Sequence, residues 1–97
     1  MIVHNCVLDE INRQLQTYLA QEPEALACPC QQCRNDIIAL AANRLPARYT
    51  ASTEGRLLAG FELQSKQVQL DVFKVIIQAT RQVNSAPRHD PHRQITP

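Results

Sequence analysis

The sequence predicts a mainly α-helical protein, a small domain of three to four helices with a short extended or hairpin segment, assembled as a homodimer. The 97 residues suffice for one domain. Hydrophobic residues make up 44% of the chain, yet two Phe, two Tyr and no Trp leave the core to aliphatic side chains, which favours helices packed on helices. Apolar residues also recur at helical spacing in three separate segments.

A first helix is predicted from about residue 4 to residue 21, because apolar residues recur there about every four positions. Pro23 and Pro29 then bracket a break, since proline lacks a backbone donor and disfavours helix in the residue before it. Glu10 and Arg13 are predicted to form an exposed pair on this helix. The predicted buried face comprises Val3, Val7, Ile11, Leu15, Tyr18 and Leu19.

A second, shorter helix is predicted to begin at Gln31 and to stop before Pro46. Its apolar side comprises Cys33, Ile37, Leu40 and Ala41. In the segment that follows, residues 47–60, Tyr and Thr favour extended backbone. The Thr-Glu-Gly sequence there suggests a turn in which Gly55 takes a positive φ. We therefore expect a small hairpin or an irregular extended segment.

A third helix is predicted from Ser65, as N-cap, to Val83. Its apolar arc is too wide for one side of a three-helix protein to cover, and a homodimer that buries the rest is the economical explanation. The stripe comprises Val68, Val72, Val75, Ile76, Ala79 and Val83, and Leu70, Phe73, Ile77 and Thr80 widen it. The domain is thus predicted to span residues 1–84, followed by a disordered, proline-rich tail at 85–97.

Charge and hydropathy exclude some classes of partner. Ten Lys and Arg against nine Asp and Glu give a net charge of +1, which argues against a general attraction to DNA or to anionic lipid. No apolar run approaches the roughly 18 residues that a membrane span needs, and the N-terminus lacks a secretory pattern. We expect a cytoplasmic protein, in which structural disulfides are rare.

Three of the four cysteines, Cys28, Cys30 and Cys33, lie within six residues. The Cys-x-x-Cys spacing suits a zinc (Zn²⁺) chelate, and Cys28 adds a third thiol from a loop stiffened by Pro29. Reduced thiols packed as small hydrophobes and a redox or catalytic thiol are the alternatives. The sequence leaves several candidates for the fourth zinc ligand. Cys6 can reach the others only if the second helix folds back along the first, or across a dimer, and His4 or an exogenous ligand would serve instead.

The segment CPCQQCRNDIIALAANRLPARYTASTEG, residues 28–55, resembles the signature of the late competence protein ComFB family. The resemblance extends loosely over residues 1–83 and implies a small, helical, homodimeric protein with cysteine-bound zinc that is not an enzyme. It further implies a link to competence and, in some members, sensing of a cyclic dinucleotide, chiefly cyclic di-GMP, with effects on motility or pili. Many relatives have proline where this chain has Ala47, so the segment after Pro46 is expected to be less rigid.

Asp36 and Asn43 are seven residues apart, so they share one polar edge of the second helix. A carboxylate suits the N1–H and N2–H₂ donors of guanine, while guanidinium groups suit phosphates and stack on bases. Structural roles, such as capping by Asp36 and Asn43, solvated arginines and core packing by Tyr49, are the alternative. The predicted ligand-binding set is Arg34, Asp36, Asn43, Arg44, Arg48 and Tyr49.

Two functions follow from these observations. The first is a non-enzymatic cytoplasmic regulator, a zinc-stabilised homodimer that binds cyclic di-GMP and signals to a protein partner. The second is a structural zinc-binding adaptor in competence or pilus assembly that binds no nucleotide. An enzyme ranks third, because no base is placed near a nucleophile and the chain has only two glycines, Gly55 and Gly60.

Overall fold

The computed structural model describes residues 2–86, which form four α-helices and one antiparallel pair of two-residue strands. The predicted mainly helical fold is confirmed. A single 3₁₀ turn, Pro23–Ala25, follows the first helix. In chain order the elements are β1 His4–Asn5, α1 Cys6–Gln21, α2 Gln31–Arg44, β2 Tyr49–Thr50, α3 Thr53–Glu62 and α4 Lys66–Ser85.

Helices α1, α2 and α4 pack on one another and enclose the core. Each contributes a fully buried isoleucine, namely Ile11, Ile37 and Ile76. The aliphatic core expected from the composition is confirmed. Its members are Val7, Ile11, Leu15, Leu19, Leu26, Cys33, Ile37, Ala41, Val72, Ile76, Ala79 and Val83.

Helix α1 begins two residues later than predicted, because Asn5 is extended and caps it. The Asn5 side chain accepts hydrogen bonds from the backbone N–H of Val7 at 3.2 Å and of Arg48 at 2.9 Å. The strands pair antiparallel with His4 opposite Thr50. Asn5 thus joins the start of α1 to the chain that enters β2.

The predicted hairpin or extended segment at residues 47–60 is wrong beyond β2, since α3 begins at Thr53. Ser52 caps this helix by accepting a hydrogen bond from the Gly55 N–H at 3.0 Å. Gly55 does not take a positive φ. Its role is spatial, because a Cβ there would lie 3.0 Å from Ser52 Oγ and 3.5 Å from Thr50 Cβ.

Helix α4 has the predicted N-cap, Ser65, whose hydroxyl accepts from the Val68 N–H at 3.3 Å. The helix continues two residues past Val83, to Ser85. Of the wide apolar arc, Leu70 and Phe73 remain exposed, and Phe73 meets Tyr18 edge to face at 5.8 Å between ring centroids. The predicted tail lies, from residue 87 on, outside the described residues.

The Glu10–Arg13 pair is not the exposed pair that the sequence suggested. Glu10 is 5% exposed and accepts hydrogen bonds from Arg13, Gln14 and Gln69, so it joins α1 to the start of α4. Gln69 also donates to the Leu63 carbonyl at 2.7 Å, which ties in the α3–α4 turn. Over residues 2–86 no helix has the length and apolar character that a membrane crossing requires.

Candidate metal centre and polar groove

The three clustered cysteines lie in the loop between α1 and α2 and in the first turn of α2. The Sγ atoms of Cys28, Cys30 and Cys33 all lie within 4.8 Å of one another. Cys30 is the N-cap of α2, and its sulfur accepts a hydrogen bond from the Cys33 N–H at 3.4 Å. The Cys-x-x-Cys spacing therefore puts one sulfur at the cap and one in the first helical turn, on the same side.

The cluster is largely shielded from water. Cys33 is 1% exposed, while Cys28 and Cys30 are half-buried. Burial, together with the hydrogen bonds and charge of Cys30 and Cys28, raises the pKa of the Cys33 thiol to about 12. Any cation bound here would displace protons from the thiols.

The loop that carries Cys28 is fixed to the end of α4. The Asn84 side chain accepts from the Ala27 N–H at 2.9 Å and donates to the Ala25 carbonyl at 2.7 Å. Leu26, between them, is buried in the core. Asn84 is a positioning residue that the sequence analysis missed, since its partners lie 57 and 59 residues away.

The donor set suits a thiophilic cation. Tetrahedral zinc with Zn–S bonds of about 2.3 Å requires sulfurs about 3.8 Å apart, within the spacing of this cluster. Three thiolates would fill three of the four positions. Cys28, Cys30 and Cys33 would hold the ion, and the ion would cross-link the α1–α2 loop to the first turn of α2.

Cys6, the fourth predicted ligand, lies apart from this cluster. It is buried at the start of α1, with its sulfur 3.2 Å from Thr50 Oγ1. The length of α1, about 24 Å for 16 residues, separates it from the α1–α2 loop. His4, beside it, contacts Asp9 Oδ2 at 2.7 Å. Within one chain the structure does not bring either residue to the other three cysteines.

A second candidate site is the groove between α2 and the end of α4, which we name the α2–α4 groove. Its volume is about 210 Å³, and both Asp36 and Asn43 line it, as their seven-residue spacing predicts. The lining residues are Asp36, Ala39, Leu40, Asn43, Gln82, Val83 and Ala86. The α4 side of this groove could not be foreseen from the α2 sequence.

Asp36 is the notable group of this groove. Its Oδ1 accepts a hydrogen bond from Gln32 Nε2 at 3.0 Å. Its Oδ2 is buried and has no hydrogen-bond partner among residues 2–86. Buried polar atoms in folded proteins are nearly always paired, so this oxygen has an unused acceptor position.

The predicted arginines separate into different regions. Arg44 donates to the Gln82 side chain at the edge of the α2–α4 groove. Arg48 pairs with Glu62 at 2.9 Å and lines another groove, near the opposite end of α4. Arg34, two residues before Asp36, points about 200° away from it around α2.

Tyr49 is 63% exposed on β2, not packed in the core as the structural alternative held. Of the six predicted ligand-binding residues, one chain thus brings Asp36, Asn43 and Arg44 together. It does not bring Arg34, Arg48 or Tyr49 to them.

Comparison with known proteins finds relatives that share this fold and this sequence pattern. The competence protein ComFB of Bacillus subtilis (strain 168) is 27% identical over 62 residues, which are 64% of this chain and 63% of that protein, less than two thirds of its length. A solved structure of the late competence protein ComFB from Bacillus subtilis matches with a TM-score of 0.78 at 24% identity, covering 89% of this chain and 92% of that one, which shows the shared fold. The family model described as late competence development protein ComFB matches residues 2–87. The chain therefore belongs to the ComFB family, as the segment at residues 28–55 predicted.

Proposed function

We propose that this ComFB-type protein is a non-enzymatic cytoplasmic regulator that acts as a zinc-stabilised homodimer. It binds a cyclic dinucleotide and prefers cyclic di-GMP. Binding would be passed to a protein partner that controls motility, pili or competence. The observation that carries the nucleotide proposal is Asp36 Oδ2, which is buried and has no hydrogen-bond partner among residues 2–86, in a groove that Asn43 shares.

Guanine carries two neighbouring hydrogen-bond donors that suit the Asp36 carboxylate. Its N1–H and N2–H₂ groups lie side by side, and a carboxylate can accept both. Asn43 offers a donor and an acceptor to the same base edge, and Arg44 adds a guanidinium at the rim for a phosphate. The carboxylate, the amide and the guanidinium at the rim therefore match the base edge and a phosphate of one guanine nucleotide.

The size of the groove supports one base per protomer. Its volume of about 210 Å³ is below the roughly 300 Å³ at which pockets for whole drug-sized ligands begin. Cyclic di-GMP is two-fold symmetric, so each of its guanines could enter the equivalent groove of one copy in a symmetric dimer. The remaining ligand surface would lie between the copies.

Calorimetric titration of the zinc-loaded protein with cyclic di-GMP and cyclic di-AMP tests this proposal. Adenine has a lone pair where guanine has N1–H, so the Asp36 carboxylate should repel it. We expect saturable heat with cyclic di-GMP and affinity at least about tenfold weaker for cyclic di-AMP, because a site built for a donor rejects an analogue without it. The absence of binding at micromolar cyclic di-GMP, or equal affinity for both, would contradict it.

The zinc proposal rests on the 4.8 Å cluster of three sulfurs. Native mass spectrometry should show about one zinc per chain in the wild type and its loss in Cys30→Ser. Cys6→Ser is the matched control, since only the partner copy could bring Cys6 to the cluster. Retained zinc in Cys6→Ser would exclude Cys6 as fourth ligand. A wild type that is fully folded without metal would contradict the zinc proposal itself.

A mainly apolar groove of about 220 Å³ between α1, α3 and α4 favours the second candidate function, a structural zinc-binding adaptor. Its lining combines apolar side chains, among them Val68, with the charged Arg48, Glu62 and Asp71, and such a surface suits a segment of another protein. An adaptor would keep zinc and give no heat with either dinucleotide. Its partner binding would be lost on charging this groove, for example in Val68→Lys.

A further inference from the structure

Helix α3 is amphipathic, but its bulky apolar side chains face outward and a small residue faces the core. Within α3 the one buried residue is Ala59. Its three bulky apolar side chains face outward, with Leu57 72%, Leu58 65% and Phe61 85% exposed. At 100° per residue these three share an arc of about 100° that faces away from Ala59. A surface helix of a monomer ordinarily turns such a face toward the core.

The outward orientation is fixed by contacts on the small side of the helix. A Cβ on Gly55 would lie 3.0 Å from Ser52 Oγ, so a side chain there would crowd the Ser52 cap at the first turn of α3. Ala59 is fully buried against the domain, and Glu62 is paired with Arg48. Rolling α3 to bury Phe61 would expose Ala59 and break these contacts, so another surface must cover the bulky face.

The exposed apolar area is large enough for a stable dimer. The three α3 side chains alone expose roughly 400 Å², at roughly 150–200 Å² for each large apolar side chain. Tyr49 on β2, which contacts α3, and Ile2 and Val3, which lead into β1, are also exposed. Together the six expose roughly 750 Å², which is close to the roughly 800 Å² that each partner of a standard interface buries.

Charge and shape favour a second copy as the occupant. An apolar face of Leu and Phe can be self-complementary across a two-fold axis, as an interface between identical chains requires. A net charge of +1 produces little repulsion between two copies. Glu54 lies at the N-terminal edge of the face, which suits a polar rim around an apolar centre.

Gly60 gives a second, independent indication. It lies in the last turn of α3 beside the apolar face, and among the described residues a Cβ there would meet nothing within 4 Å. Glycine weakens a helix interior relative to alanine, and no contact within the described protomer requires a glycine here. The close approach of a second backbone would explain it.

We propose that the Leu57–Leu58–Phe61 face of α3 is the homodimer interface of this protein, with a second copy of the chain packed across a two-fold axis near Gly60. This inference rests on the homodimer of the proposed function and identifies its surface. It differs from the expectation drawn from the sequence, which assigned that role to the wide apolar arc of α4.

Analytical ultracentrifugation of the full, zinc-loaded chain and its variants tests the interface. Phe61→Glu is expected to weaken dimerisation at least about 100-fold while keeping the wild-type helical circular dichroism, because Phe61 contributes little to the fold of a protomer. Leu58→Glu, at an equally outward position, should do the same and serves if Phe61→Glu does not fold. Leu70→Glu on α4, 57% exposed, is the matched control and should remain dimeric.

Gly60→Ala separates interface from fold. It should stabilise the helix of a protomer and yet weaken the dimer, because the added methyl blocks the backbone approach. A dimer that survives both glutamate variants, or that dissociates with Leu70→Glu alone, would overturn the α3 interface and leave the homodimer standing. A wild type that is monomeric at all concentrations would overturn the homodimer of the proposed function as well.

Discussion

Two carboxylates, Glu10 and Asp36, lie toward opposite ends of α4 and have opposite hydrogen-bond environments. Glu10 accepts from Arg13, Gln14 and Gln69 at the contact between α1 and α4. Asp36 accepts from Gln32 alone among the described residues, and its second oxygen is buried without a partner in the α2–α4 groove. A satisfied carboxylate stabilises the fold, whereas an unsatisfied one costs stability unless a hydrogen-bond donor reaches it.

The electrostatics around Glu10 agree with a structural role. Burial raises the pKa of the Glu10 carboxyl, but hydrogen bonds from Arg13 and Gln69 and the charge of Arg13 outweigh burial, and the net pKa is lowered. The same pairing raises the pKa of Arg13. The region around Glu10 therefore has a structural role in which each partner supports the other.

The largest expected effect is on the structural side of the comparison. Glu10→Ala leaves the donors of Gln14 and Gln69 without their shared acceptor in a shielded place, so we expect a loss of about 2 kcal/mol and a melting temperature about 10 °C lower. Urea unfolding checks it. Asp71→Ala, which loses one exposed hydrogen bond from Gln67, is the control and should stay within about 0.5 kcal/mol. A similar small loss in Glu10→Ala would remove the contrast.

The second prediction concerns Arg44 and Arg48, one at each of the two grooves. Arg44 lies at the α2–α4 groove and Arg48 lines the other groove, so Arg44→Ala should weaken cyclic di-GMP binding about tenfold and Arg48→Ala should leave it nearly unchanged. Calorimetric titration of both variants decides between the two grooves. Loss of binding in Arg48→Ala alone would place the nucleotide away from Asp36.

The third prediction addresses the stability cost of Asp36. Asp36→Asn replaces a buried carboxylate oxygen, unpaired within the described part of the chain, with a neutral amide and keeps the oxygen that accepts from Gln32. The ligand-free protein should therefore be more stable by up to about 1 kcal/mol. Chemical denaturation without nucleotide measures it. A loss of about 1 kcal/mol or more would instead make Asp36 a structural cap.

The smallest expected effect is on the pH dependence of stability. Because the folded pKa of Glu10 is lowered, its contribution is complete above its ordinary value of 4.5 and is lost as pH falls through the lowered folded pKa. Glu10→Gln should therefore flatten the decline of the free energy of unfolding below about pH 4.5. A wild-type profile that Glu10→Gln leaves unchanged would show that Glu10 is not selectively stabilised as the anion.

The sequence predicted α1, α2 and α4 because prolines, caps and inward-facing aliphatic residues all mark those helices. It missed α3, whose inward side is the small Ala59 and whose bulky residues face outward, so its pattern contained no inward periodic face. It also took Glu10 for a surface group, since Gln69, which helps bury and satisfy it, lies 59 residues away.

The candidate sites were predictable to the extent that local spacing defines them. The Cys-x-Cys-x-x-Cys spacing and the seven residues between Asp36 and Asn43 correctly indicated which side chains meet. What the spacing could not give is the contribution of α4, whose Asn84 fixes the cysteine loop and whose Gln82 closes the groove. Both depend on how α4 crosses the bundle.

The most direct test of the central claim is a calorimetric titration of cyclic di-GMP into zinc-loaded Asp36→Asn and Glu10→Gln, at a temperature where both variants are folded. We predict that Asp36→Asn, which cannot accept both guanine donors, loses affinity by roughly 30-fold or more, corresponding to about 2 kcal/mol. Glu10→Gln should bind as the wild type does. Wild-type affinity in Asp36→Asn, or an equal loss in both variants, would contradict the assignment of Asp36 to the ligand and Glu10 to the fold.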